Sequence, residues 1–297
     1  MIIEEQQRPR YALAGILLLL SLWTTSAAGS RSVHNFWNNL PPFRFEQDGM
    51  EMFSAFLDPG ALWAGLSFSL PLILILLAHE LGHYCACLYY GLDATLPYFL
   101  PVPTFIGTMG AFIRIRSIIY SRRILFDVGL AGPLAGFVVL MPFLFFGVWM
   151  SRVSPAGSQG DLVFGTPLVI ELLEKVFFPG VPAKEVYLHP MARGAWVGVF
   201  ATALNLLPIG QLDGGHIVYA LLGRSARLVS LAAIAALVPL GYFYPPWWGW
   251  AIALYFAGRR HPHIYDNTPV NGVRKGFAAL GLALFILCFM VAPLGYE

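Results

Sequence analysis

Apolar runs alternate along this chain with short polar or proline-rich breaks. The pattern predicts seven helical segments: Tyr11–Ala28, Ala61–Leu92, Ile124–Met150, Ala192–Pro208, Leu228–Tyr244, Trp247–Ala257 and Gly276–Ala292. About 20 apolar residues cross a bilayer core, so the sixth segment is short for a span. The first has two readings, a retained helix or a signal peptide, because Arg8 and Arg10 precede it and Ser26-Ala27-Ala28 lies before Gly29. Pro71 is expected to kink the second segment a turn or two before His79. Residues 29–60 and 151–190 read as extramembrane loops, the latter with a short surface helix near 168–178. Residues 96–123 break the helical pattern. Pro97, Pro101 and Pro103 precede a stretch in which Arg114 and Arg116 alternate with Ile113 and Ile115, which is a strand signal.

Composition turns this pattern into a class. The chain is 58% hydrophobic and 11% charged, against about 25% charged for a soluble domain. The expected fold is an all-α polytopic membrane protein with six or seven transmembrane helices. Three regions are expected: an N-terminal helix and loop over 1–60, a membrane core over 61–222, and C-terminal transmembrane helices over 223–297. The net charge of +2 says little, but its placement is useful. If every segment spans, Arg8, Arg10, Arg114, Arg116, Arg122, Arg123, Arg224, Arg227, Arg259, Arg260, Arg274 and Lys275 share one side, which is twelve of the eighteen Lys and Arg. The positive-inside rule makes that side cytoplasmic. The bilayer is the expected partner, with no nucleic acid. Cys85, Cys87 and Cys288 read as small apolar packing residues and give no disulfide framework.

The candidate chemistry lies in the second segment, where residues 79–83 read His-Glu-Leu-Gly-His. On a helix His79 and His83 are one turn apart on one face and can hold one Zn²⁺, with Glu80 placed as general base toward a water. The plainer reading makes both histidines core residues bonded to neighbouring carbonyls. Ionisable groups at bilayer depth each cost about 2.5–3.5 kcal/mol, so three of them together need a functional reason. A catalytic zinc commonly takes three protein ligands. Asp127, Glu171, Asp213 and His216 are the buried candidates for the third. Asp127 is better read as pairing with Arg122 or Arg123 or capping the third segment. Asp213 is preferred, since it lies in an apolar run at a break between helices, ahead of Gly214 and Gly215, where a carboxylate needs a partner. His216, one turn on, stays open as a supporting group or rival ligand.

At these residues the chain resembles the site-2 protease family of intramembrane zinc metalloproteases. The resemblance rests on His79-Glu80-Leu81-Gly82-His83 in an apolar helix, followed by Asn205-Leu-Leu-Pro208-Ile-Gly-Gln-Leu212-Asp213-Gly214. Leu130 to Gly136 is similar to the family's Gly-Pro helix between the two motifs. The likeness covers about residues 61–222. It implies that His79, His83 and Asp213 bind zinc, that Glu80 is the general base, and that the strand-like 106–118 segment is a re-entrant hairpin near the site. The gaps 29–60 and 151–190 are too short for a PDZ domain, so a minimal, PDZ-free member is expected.

The expected function is hydrolysis of peptide bonds in transmembrane substrates near the cytoplasmic side, in a multi-pass protein of a bacterial inner membrane. Asn205 is a candidate donor to the developing oxyanion or to the substrate backbone, with a helix–helix hydrogen bond as its plainer role. The 106–118 hairpin offers an edge for pairing with an extended substrate. Two rivals stand beside this reading: a membrane-anchored zinc peptidase acting on soluble peptides, and a metal-binding transporter or inactive scaffold.

Overall fold

The computed structural model describes residues 11–43, 52–154, 163–258, 264–266 and 268–295. Its main helices are α1 (Tyr11–Trp37), α2 (Pro59–Tyr89), α3 (Arg122–Trp149), α4 (Leu168–Phe177), α5 (Pro190–Asn205), α6 (Asp213–Leu222), α7 (Ala226–Leu240), α8 (Pro246–Gly258) and α9 (Gly272–Cys288). Between α2 and α3, β1 (Tyr98–Pro101) and β2 (Thr108–Phe112) pair antiparallel, with Tyr98 opposite Phe112 and Phe99 opposite Ala111. Local chemistry sets the helix starts. Asp58 caps α2 by accepting from Gly60 N–H at 2.8 Å, with Pro59 leading the first turn. Ser121 and Asn271 do the same for α3 and α9, accepting from Arg123 and Arg274 N–H at 3.2 and 3.1 Å.

Helices carry the fold, as expected, and six or seven full-length spans are not confirmed. Among the described residues, four stretches are long and apolar enough to cross a membrane: Tyr11–Trp37, Pro59–Tyr89, Arg122–Trp149 and Asp213–Leu240. The last joins α6 and α7 through a 3₁₀ turn at Gly223–Ser225. With 16 residues, α5 reaches only about 24 Å, short of a bilayer core of about 30 Å. At 13 and 17 residues, α8 and α9 are also short. The first helix runs nine residues past Ala28, to Trp37, so the following loop is shorter than expected. Helix α2 continues through Pro71. The short helix of the second loop is α4, and it is not a free surface element: Ile170 and Val169 are buried in a core cluster with Leu140, Leu144 and Trp196.

A break positions the site. At its start, Arg193 of α5 sits beside Ser32 and Pro42, at the far end of α1. At its end, Asn205 reaches His79 in the middle of α2. Continuing the same way, α6 brings Ala220 to the start of α3, where Arg122 Nε donates to its carbonyl at 2.8 Å. Thus α6 continues the direction of α5 after a break at residues 206–212. Gly214 makes the junction tight, because a Cβ there would lie 2.1 Å from the Leu206 carbonyl oxygen.

The β1–β2 hairpin lies against α1 and α2. Gly107, at φ +87°, turns the chain flush against α1, where a Cβ would meet Thr25 Cα at 2.4 Å. Thr24 Oγ1 donates to the Gly107 carbonyl at 2.6 Å, and the Thr25 and Ser69 hydroxyls bond between α1 and α2. Regular strand ends at Phe112, six residues before the expected end at 118. Beyond it residues 112–120 alternate between exposed and half-buried, which is the periodicity read from the sequence.

Candidate active site

His79 and His83 lie on the face of α2 that meets α3, and α3 receives them on glycine. A Cβ at Gly132 would stand 2.1 Å from His83 Nε2, and one at Gly136 would stand 3.1 Å from His79 Cβ. The two glycines repeat the four-residue spacing of the two histidines in the antiparallel sense. His83 Nδ1 lies 2.7 Å from the Val128 carbonyl. A carbonyl can only accept, so Nδ1 carries the proton and the lone pair of His83 is on Nε2.

That lone pair points into a convergence of donors. His83 Nε2 is 3.1 Å from His79 Nε2 and 3.3 Å from Asp213 Oδ1, and His79 Nε2 is 3.1 Å from Asp213 Oδ2. All three residues are largely shielded, with His79 4% and His83 7% exposed. Asp213 opens α6, while the cap position belongs to Leu212 and carries no side-chain bond, so the carboxylate is left to face the histidines and not its own helix. Ligand atoms about 2.0–2.1 Å from a tetrahedral ion sit about 3.3 Å apart. The observed separations match that edge, and a dehydrated carboxylate beside two imidazole lone pairs calls for a cation. These three residues can hold a metal ion.

Glu80, 7% exposed, follows His79 on α2 and lines the same cleft. Its carboxylate faces the backbone at Ile113, just after β2. The cleft has a volume of about 180 Å³ and is bordered by Met109–Ala111 of the hairpin, Asn205 of α5 and Trp250 of α8. Asn205 brings Nδ2 to 3.3 Å from His79 Nε2, so it bridges helices and lies in the site at once.

The other acidic and histidine candidates fall elsewhere. Asp127 pairs neither with Arg122 nor Arg123 and does not cap α3. It accepts from Arg274 Nε at 2.9 Å, from Arg274 Nη2 at 2.5 Å, and from the Tyr90 hydroxyl. Glu171 pairs with Lys175 at 2.7 Å on α4. His216 packs beside Gly129 and is not among the converging donors. Sequence reasoning missed the Val128 carbonyl, because backbone acceptors leave no mark in a motif. Gly132 and Gly136 share the four-residue spacing of the histidines, but nothing in the sequence marks them as seats for the rings.

Residues 67–244 match the model of peptidase family M50. The chain belongs to this family, the site-2 proteases. It is 29% identical to "Probable zinc metalloprotease EGY1, chloroplastic" of Arabidopsis thaliana, over 97% of this chain and 54% of that protein. It is 30% identical to "Probable zinc metalloprotease EGY2, chloroplastic" of the same plant, over 95% of this chain and 49% of that protein. A rice (Oryza sativa subsp. japonica) relative, "Probable zinc metalloprotease EGY3, chloroplastic", is 27% identical over 79% of this chain and 44% of its own length. The chain thus spans about half the length of the curated relatives it matches. Their names place those relatives in the chloroplast. The apolar helices support a membrane protein, and the expected bacterial inner membrane finds no support.

Proposed function

We propose that this family member is a zinc metalloprotease that hydrolyses peptide bonds of membrane-embedded substrates. The observation that carries the reading is the convergence of His79, His83 and Asp213 at 3.1–3.3 Å, with Glu80 beside them in one cleft among apolar helices. Zinc bound there would supply Lewis acidity, lowering the pKa of water toward about 7 and polarising a carbonyl. Glu80 takes the proton from the attacking water and returns it to the leaving amine. That carboxylate faces the backbone at Ile113, outside α2. Asn205 Nδ2, facing the same space, is placed to donate to the substrate carbonyl as charge develops.

A transmembrane helix hides its carbonyls, so the substrate must unwind before it is cut. β2 borders the cleft and offers an edge on which an extended segment can pair. The basic residues near the ends of α2 and α3 favour a cytoplasmic placement of that side, and with it cleavage nearer the cytoplasm.

The test compares wild type with Glu80→Gln, both purified in detergent, for zinc content and for cleavage of model transmembrane helices. The variant is expected to keep zinc and lose cleavage. Equal turnover by the two would refute the proteolytic mechanism and leave a metal-binding scaffold or transporter. Cleavage confined to soluble peptides would favour the membrane-anchored peptidase.

A further inference from the structure

We propose that Tyr90, Asp127 and Arg274 form a clamp through which the C-terminal helix α9 positions the metal-binding end of α2 against α3. The inference rests on the reading of His83 as a metal ligand. Arg274 lies beyond residues 67–244, the part that matches the family model.

The geometry runs through neighbouring atoms of α3. His83 Nδ1 donates to the Val128 carbonyl at 2.7 Å, and that bond fixes both the tautomer and the direction of Nε2. Asp127 precedes Val128. Its carboxylate faces outward, where Arg274 binds it with two nitrogens, at 2.9 and 2.5 Å. The Tyr90 hydroxyl donates to the same carboxylate. Tyr90 follows His83 by seven residues, two helical turns or about 10.5 Å along α2. Two bonds therefore cross from α2 to adjacent residues of α3, one to the ligand and one to the clamp. They fix the register of the two helices, and Arg274 ties that register to α9.

The pair suits this role. The Arg274 and Asp127 side chains are 23% and 25% exposed, so the bidentate contact is partly withdrawn from water and is geometrically specific. Apolar packing supports it, since Leu125, Phe126 and Leu130 of α3 form one cluster with Leu284 of α9. The seat of His83 leaves little tolerance, because Gly132 lies flush against the ring. Any slide or rotation of the first turns of α3 displaces the Val128 carbonyl and Gly132 together. The three clamp residues touch no reacting atom and act through His83.

The test uses the full chain in detergent, with zinc affinity measured by chelator competition and the cobalt(II) absorption bands recorded after metal exchange. Arg274→Ala is expected to weaken zinc binding about ten-fold, within the range for residues that orient ligands. It should also shift the cobalt bands and lower kcat with KM little changed. Arg274→Lys keeps the charge without the fork and should recover part of the loss. Tyr90→Phe removes one hydroxyl and should move affinity and spectrum in the same direction, by less. This last variant decides the matter if Arg274→Ala does not fold. Wild-type zinc affinity and an unshifted cobalt spectrum in Tyr90→Phe, and in Arg274→Ala where it folds, would overturn the clamp and leave the metal site standing. Zinc held as tightly by His83→Ala as by wild type would overturn the metal-site reading and the clamp with it.

Discussion

A single methyl group added at Gly132 tests the packing on which the site depends. In Gly132→Ala the new Cβ would stand 2.1 Å from His83 Nε2, 2.4 Å from Cε1 and 2.5 Å from Cδ2. Ordinary contact needs about 3.5 Å, so the ring would have to retreat by about 1.4 Å. It has no free direction in which to do so. Nδ1 is held by the Val128 carbonyl at 2.7 Å, and Nε2 must stay within reach of His79 and Asp213. Metal sites tolerate about ±0.2 Å in ligand distance, so the retreat removes His83 as a ligand or forces α2 and α3 apart. Zinc affinity should fall by about 100-fold or more, with cleavage falling in step. The overpacking should also destabilise the fold by about 1–3 kcal/mol. Gly136→Ala meets His79 at 3.1 and 3.3 Å, which a small shift relieves, so a milder loss is expected. Gly15→Ala meets nothing within 4 Å and should behave as wild type. The three variants would be compared by chelator competition, circular dichroism and cleavage of a transmembrane substrate. Gly132→Ala holding zinc with wild-type affinity would refute the reasoning, because the His83 ring could not then rest against α3.

Other outcomes follow from the same geometry. Asp213→Ala should lose zinc and cleavage while His216→Ala keeps both, and the reverse result, read by metal analysis, would move the third ligand to His216. Ile113→Pro removes a backbone N–H from the stretch after β2 that faces Glu80 and should slow cleavage without releasing zinc, which a kinetic assay paired with metal analysis checks. Mass spectrometry of both fragments of a transmembrane substrate should place the cut in its cytoplasmic half, and a cut in the outer half would reverse the proposed orientation. Burial, reinforced by nearby Glu171, lifts the Glu174 carboxyl from 4.5 to about 7. The folded chain therefore binds this proton more tightly than the unfolded one. Stability should fall as pH rises from about 4.5 through 7 and then level off, and thermal melts of Glu174→Gln should lack that slope.

The helical class, the extents of α2 and α3 to within three residues, and the placing of His79 and His83 on one helix face were legible because each is written locally. An unbroken apolar run must form its backbone hydrogen bonds within itself, and two histidines four apart must share a helix face whatever surrounds them. Asp213 could be singled out because an isolated carboxylate in an apolar run needs a partner. Which partner, and from which helix, depended on a separation of 134 residues along the chain, which no local pattern encodes. The six or seven expected spans are not confirmed for a related reason. Hydropathy measures apolarity and not path, and α6 follows α5 after a break that Gly214 lets the chain make tightly beside Leu206. Tertiary structure alone decided that Gly132 and Gly136 seat the histidine rings, that a main-chain carbonyl of α3 sets the tautomer of His83, and that Asp127 answers to Arg274 and not to its neighbours Arg122 and Arg123. Each of these is a contact between elements distant in sequence, made through groups that every residue carries or through the absence of a side chain. A sequence announces costly side chains, but close approach appears only when the helices are in place.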